Sequence, residues 1–287
     1  MEIIVGKNAG FCYGVKNAVT KTEELLKKNS KIDCLGELVH NKDVIDKLEK
    51  QGLRLIKNIE EAKDKVIIRA HGIQKNIYNI AKERNIEIFD YTCPNVLKIH
   101  DIAKKYSKNN CFIFLIGNRD HPETIGTISF CGKSSYILEK EEDIETAYLK
   151  LKETNIDKLL IIVQTTFSTE KYEKMINIIK EKIDSKIELE IINTICSATR
   201  IRQEETEKIS KEVDCMIIIG GKNSSNTNKL NQLAINNCPN TYLIENETEL
   251  DLVKIRKFSK IGIMAGASTP SYIILKVIDV LNKINKI

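Results

Sequence analysis

The chain has no tryptophan, four histidines, four prolines and little charge left over, since 45 basic side chains against 40 acidic ones leave +5 in 287 residues. That remainder is too small for a nucleic-acid stripe, and Lys and Glu interleave over 21–28 and 171–182 as on solvated helix faces. Long hydrophobic runs are missing as well. Cys111–Ile116 is among the longest and has the length of a strand, not of a membrane span. The opening MEIIVGKNAG carries Glu2 among its first apolar residues and lacks the form of a signal peptide. The expectation is a cytoplasmic protein with no membrane and no nucleic-acid partner. No CxxC pair occurs, which excludes a zinc ribbon. GxxxxGK[ST] and GxGxxG are also absent, so no built-in nucleotide site is indicated. A hydrophobic fraction of 42% with 30% charged residues excludes wholesale disorder.

Eight cysteines are present. In a reducing compartment they do not form a disulfide framework. They are either buried small hydrophobes or metal ligands that converge from distant parts of the chain. Their surroundings are regular. VIIRA (66–70), CFIFLI (111–116), LLIIV (159–163), CMIII (215–219) and IGIMA (261–265) have the continuous apolar character of parallel strands covered on both faces. Segments 16–28, 75–85 and 202–213 have helical spacing. This alternation predicts an α/β fold.

Three segments repeat one layout. GFCYGV, YTCPNV and TICSAT place Cys12, Cys93 and Cys196 between a strand and a helix. His40, His121 and Ser224 each follow their cysteine by 28 residues, in the polar loops GELVHN, GNRDHPE and GGKNSSN. LIKNIEEAK, ILEKEEDIE and LIENETELD correspond next, and then the strand ends RAHG, VQTT and AGAST. Thr165 and Ser268 both lie 72 residues after their cysteines, whereas His71 lies 59 after Cys12. The chain therefore reads as three related α/β units with small, mostly parallel sheets, arranged pseudo-threefold around a centre. The units are 12–92, 93–195 and 196–287, the last completed by a strand in 1–11.

Binding sites in such units lie beyond the carboxyl ends of the strands. The arrangement points three thiols at the axis, ringed by His40, His71, His121, Glu123, Thr165, Ser224, Ser225, Asn226 and Ser268. A thiol at a helix N-terminus favours the metal-bound thiolate. Three thiolates without an evident fourth ligand suit a zinc with an open position or a cubane cluster with one free iron. Cys34, Cys111 and Cys215 fall near starts of buried strands, and Cys131 and Cys238 have no counterparts, so these five are read as packing. The histidines, hydroxyls and amide suit a phosphate or diphosphate. His100 lies in a helix and is read as structural, and Lys222 as solvated. Glu123 reads equally well as a proton donor and as an ordinary first-turn helix residue after Pro122.

GFCYGV, ELVHN, AHG, TCP, HPE-xxG, QTT, TIC-x-AT, KNSSN and AGAS-x-P occur in that order across essentially the whole chain. In this combination the sequence resembles the iron–sulfur 4-hydroxy-3-methylbut-2-enyl diphosphate reductase family, which performs the last step of the non-mevalonate isoprenoid pathway. The resemblance implies a 4Fe-4S cluster with three cysteine ligands, Cys12, Cys93 and Cys196, and one open iron. It implies a diphosphate substrate held by His40, His71, His121, Ser224, Ser225, Asn226 and Ser268. It further implies Thr165 beside the substrate hydroxyl, Glu123 as proton donor, and the two products isopentenyl and dimethylallyl diphosphate. With no flavin or nicotinamide motif, the expected electron donor is a ferredoxin or flavodoxin. Asp120 stands where the family usually has glycine, and Tyr91 where it usually has alanine. An aconitase-like hydro-lyase, a Cys₃ zinc hydrolase and an iron–sulfur electron carrier are the rival classes. Their respective marks are turnover without reductant, a colourless redox-silent metal site, and a fully ligated cluster.

Overall fold

The computed structural model describes residues 1–284. The first stretch contains β1 (Glu2–Val5), α1 (Tyr13–Lys28), β2 (Ile32–Leu35), α2 (Lys42–Lys50), β3 (Leu53–Ile56), β4 (Lys65–Ile68), α3 (Lys75–Glu83) and β5 (Glu87–Asp90). The second contains α4 (Pro94–Ser107), β6 (Phe112–Ile116), α5 (Pro122–Ile128), β7 (Ser135–Leu138), α6 (Asp143–Lys152), β8 (Lys158–Val163), α7 (Thr169–Lys182) and β9 (Glu188–Ile191). The third contains α8 (Ser197–Ser210), β10 (Cys215–Ile219), α9 (Ser225–Asn237), β11 (Thr241–Ile244), α10 (Leu252–Ile255), β12 (Lys260–Ala265) and α11 (Ser271–Ile284).

The strands form three four-stranded sheets, ordered β3-β2-β4-β5, β7-β6-β8-β9 and β11-β10-β12-β1, and every pairing is parallel. One order is used three times: each repeat's first strand lies between its second and third, and the fourth flanks the third. The N-terminal β1 takes the fourth place beside β12, with Glu2 opposite Lys260 and Val5 opposite Ile263. The five apolar runs are the central strands β4, β6, β8, β10 and β12. β6 and β10 are buried along their whole length. The outer strands β1, β5 and β9 are half-exposed, and each begins with a glutamate, a charge that suits an edge strand.

The sixth central strand, β2, reads IDCL and holds a buried aspartate. The Arg54 guanidinium meets both Asp33 oxygens, at 2.6 and 2.8 Å. Burial raises the affinity of this carboxyl for a proton, but the Arg54 bonds and the Lys63 N–H outweigh it and hold the acid below its usual range.

The described chain divides into two compact units. One comprises residues 1–19, 39–50 and the chain from Ser197 onward; the other comprises 20–38 and 51–196. In the second unit, Phe112, Phe114, Ile161 and Val163 pack with Ile144, Met175 and Ile179 on one face of the β6–β8 sheet. Ile113, Leu115, Leu160 and Ile162 pack with Ile99 and Ala103 on its other face. In the first unit, Ile217, Ile219, Ile261 and Ile263 face Ile273, Val277 and Leu281 of α11. Met216, Ile218 and Met264 face Leu230 and Ala234 of α9. Helices cover both faces of each of these sheets, which leaves the loops at the strand ends as the places where polar side chains gather.

Candidate active site

The repeat is visible in single hydrogen bonds. Cys12, Cys93 and Cys196 immediately precede α1, α4 and α8. Their backbone N–H groups donate to Ala267, Ala70 and Thr165 carbonyls at 3.1, 3.0 and 3.1 Å. Each of those carbonyls lies two residues past the third strand of a sheet. These three cysteines are half-buried, whereas Cys34, Cys111, Cys131, Cys215 and Cys238 are buried, and no disulfide joins any of the eight. Burial pushes the thiols of Cys34, Cys131 and Cys215 up to about 12 and that of Cys111 to about 11. Thiols held protonated in this way are inert, while accessible thiols at helix N-termini are the ones suited to a soft metal centre. Half-buried thiols at helix starts thus have the donor chemistry that iron–sulfur ligation requires, and the five buried ones do not.

In the second unit the acid stands in the first turn of α5, the helix that follows β6. His121 caps α5, Pro122 fills the first helical position, where no N–H is needed, and Glu123 comes next. The Glu123 N–H donates to His121 Nδ1 at 3.1 Å. That bond leaves Nδ1 as the acceptor and puts the ring proton on Nε2, where it can be given to an anion. The Glu123 side chain is 2% exposed. Its two oxygens accept the Thr165 backbone N–H and hydroxyl, both at 2.6 Å. Burial pushes the Glu123 carboxyl up to about 7, and the two Thr165 bonds hold it from rising further. The acid is thus both a first-turn helix residue and a group poised to give up a proton near neutrality. Thr165→Val removes one of the bonds that favour the carboxylate. The expected result is a higher Glu123 pKa, seen as a shift of the alkaline limb of the pH–rate profile to higher pH; an unchanged limb would count against the pairing.

His71 and His121 meet edge to face, with ring centroids 5.5 Å apart and planes at 86°. The turn after His71 needs Gly72, at φ +75°; a Cβ there would lie 2.9 Å from His100 Cε1. His100 itself is buried in α4 and stacked on Phe130 at 4.4 Å. Burial pushes its imidazole down to about 4, so it is a neutral core residue.

In the first unit, the Ser224 hydroxyl accepts the Thr227 N–H and caps α9, with Ser225 and Asn226 in the first turn. Asn226 is 4% exposed, and neither its amide oxygen nor its nitrogen has a hydrogen-bond partner among the described residues. A buried amide in that state, at the N-terminus of a 13-residue helix, has the chemistry of an anion site. The Ser268 hydroxyl donates to the His40 carbonyl at 2.9 Å, fixing the His40 loop over the end of β12. Lys222 is held by Glu249 at 2.9 Å on the surface and so is engaged away from this turn. Asp120 is exposed, and its N–H is bound by Asn118 Oδ1 at 3.0 Å.

Two features differ from the sequence reading or add to it. Equal spacing from the cysteines does not give equal position at the third strand. Val163 pairs with Ile116 but Ala265 with Ile219, so the third repeat is one residue shorter there. Structurally, Ala70, Thr165 and Ala267 correspond, and the counterpart of His71 and Ser268 is Thr166. Gln164, buried in the QTT motif, is the second. Its Oε1 accepts from Asn118 N–H at 3.0 Å and Thr124 at 3.3 Å, and its Nε2 donates to Thr166 at 2.8 Å. It ties the β6 and β8 end loops together. Its place directly after the apolar run LLIIV was the signal for it.

Parallel sheets with half-buried thiols, a buried near-neutral acid and anion-type donors gathered at their carboxyl ends have the layout of an α/β enzyme. The chain belongs to the LytB protein family, whose model matches residues 3–282. It is 40% identical over 287 residues to the 4-hydroxy-3-methylbut-2-enyl diphosphate reductase of Clostridioides difficile (strain 630), spanning 99% of this chain and 100% of the relative. It is 41% identical to the protein of the same name in a Nitratiruptor species, spanning 99% of each. A solved structure of the E-1-hydroxy-2-methyl-but-2-enyl-4-diphosphate reductase from Plasmodium falciparum matches with a TM-score of 0.89 and 32% identity, over 98% of this chain and 88% of that one. A structure of (E)-4-hydroxy-3-methyl-but-2-enyl diphosphate reductase, described as the terminal enzyme of the non-mevalonate pathway, matches with a TM-score of 0.71 and 37% identity, over 99% of this chain and 100% of that one. The chain is accordingly an oxidoreductase of this family. No helix among the described residues is long and apolar enough to cross a membrane.

Proposed function

We infer that the protein reduces 4-hydroxy-3-methylbut-2-enyl diphosphate. Two electrons and two protons remove the allylic hydroxyl as water and leave isopentenyl or dimethylallyl diphosphate, the terminal step of the non-mevalonate pathway. The observation that carries this reading is the buried Glu123–Thr165 pair, beside a histidine whose Nε2 is the protonated ring nitrogen, in a chain of this family. We assign a 4Fe-4S cluster to Cys12, Cys93 and Cys196, with one iron left open. When bound, this group supplies the electrons and a Lewis-acidic metal for the departing oxygen. The three repeats, 12–92, 93–195 and 196–287 with 1–11, are on this reading the units that each contribute one thiolate.

The chain's own residues do the rest. His40, His71 and His121 with Ser224, Ser225, Asn226 and Ser268 hold the diphosphate through charge-assisted bonds. Thr165 orients the hydroxyl that leaves. Glu123, which keeps its proton up to about neutral pH, passes it through Thr165 Oγ1 at 2.6 Å. Protonation of the remaining allyl group at one end or the other selects the product. Electrons come from a ferredoxin or flavodoxin, and eight cysteines without a disulfide suit the reducing cytoplasm where such carriers work.

The test is anaerobic turnover by cluster-loaded protein. Consumption of the hydroxylated diphosphate only in the presence of a chemical reductant is expected, together with a visible and EPR spectrum that changes when substrate is added. Turnover without reductant would assign a hydro-lyase instead, and a colourless, metal-loaded protein would overturn the cluster.

A further inference from the structure

We propose that Asn95 tunes the iron–sulfur centre by donating its side-chain amide to the Sγ of Cys196. The inference rests on the cluster assignment above. Asn95 Nδ2 lies 3.2 Å from Cys196 Sγ. The residue stands second in α4, after Pro94 and two positions beyond Cys93, so one thiol segment reaches across to the next within a single compact unit. The corresponding positions after Cys12 and Cys196 are Gly14 and Ala198, which carry no polar side chain. The donor is therefore a feature of one corner of the site and not of the repeat.

A thiolate only accepts, so it selects the amide orientation that presents N–H to sulfur. Hydrogen bonds to the sulfurs are among the determinants of a cluster's reduction potential. Reduction adds negative charge, part of which resides on the ligand sulfurs. A donor aimed at one of them stabilises the reduced state more than the oxidised one. Asn95 thus makes the centre easier to reduce and restrains the Cys196 side chain that holds it. Its exposed position means that it is not needed for the core.

The experiment uses the anaerobic holoprotein and the donor-free variants Asn95→Leu and Asn95→Met. Iron and sulfide content is measured first, and the protein is then poised at a series of potentials and the reduced cluster followed by EPR. A charge-assisted bond contributes a modest stabilisation, and only part of it differs between the redox states. The expected loss at a fixed potential is therefore roughly threefold to tenfold in the ratio of reduced to oxidised centre, where tenfold corresponds to about 59 mV for one electron. Variants with parental cluster content that poise like the parent would overturn the proposal. So would variants that lose the cluster altogether, because a tuning donor on the surface is not required to build the centre. A parent protein that holds no cluster at all would instead be a failure of the functional reading.

Discussion

Glu123→Gln is expected to lower turnover by about 10²–10⁴-fold, the range for loss of a general acid. Substrate binding should remain close to that of the parent, since glutamine keeps the volume and can still accept from Thr165. The physical basis is the state of the acid. With its carboxyl pushed up to about 7 by burial, Glu123 keeps up to about neutral pH a proton that an ordinary surface glutamate has already lost. The parent's kcat should fall as pH rises through 7, and the residual rate of the variant should show no such limb. Stability carries the same sign. The folded pKa is above the unfolded one, so the unfolded chain gives up this proton first as pH rises. The contribution of the neutral acid is complete at low pH and is lost as pH rises through about 7. Denaturation midpoints at acid and mildly alkaline pH should therefore converge in the variant relative to the parent. Full activity in Glu123→Gln with reductant present would remove Glu123 from the mechanism.

Serine in place of Cys12, Cys93 or Cys196 should abolish the visible absorption of the cluster. Turnover should fall with it, by more than the roughly 10–100-fold that loss of an outer-shell metal partner costs. Cys131→Ser is the control. Cys131 is buried, its thiol is pushed up to about 12, and its Sγ donates to the Thr127 carbonyl at 3.4 Å, a bond the serine hydroxyl can take over. That variant should keep both colour and activity, with at most a loss of thermal stability. A coloured Cys196→Ser protein with parental iron would break the ligand assignment, whereas a colourless Cys131→Ser protein would show that the trio was drawn too narrowly.

Much of the architecture was legible because the repeat is written in both pattern and chemistry. Five of the six central strands are uninterrupted apolar runs, and the sixth, β2, is short and carries Asp33. It is stable in the sheet because Arg54, on the neighbouring β3, closes on the carboxylate. The alignment at the third strand was less legible. A fixed spacing of 72 matches Thr165 with Ser268, yet strand register matches Ser268 with Thr166. Counting along the chain assumes that no residue is lost between landmarks. Strand pairing is fixed by hydrogen bonds and burial, and one missing residue in a connecting segment shifts the count without shifting the sheet.

At the site, residue order alone specifies which side chains stand at strand ends, which cysteines fall at helix starts, and that three histidines share those positions. These follow from the succession of elements along the chain and from the two periodicities of backbone structure. Residue order leaves Glu123 balanced between a helix-start residue and an acid. Folding adds what order leaves out, enclosing the carboxyl while Thr165, 42 residues away, supplies both of its donors. The fold likewise separates three half-buried thiols from five buried ones, and brings the Asn95 amide to Cys196 across 101 residues. Burial and hydrogen-bond partners depend on what surrounds a side chain in space, and those surroundings set how far a buried acid or a buried thiol keeps its proton.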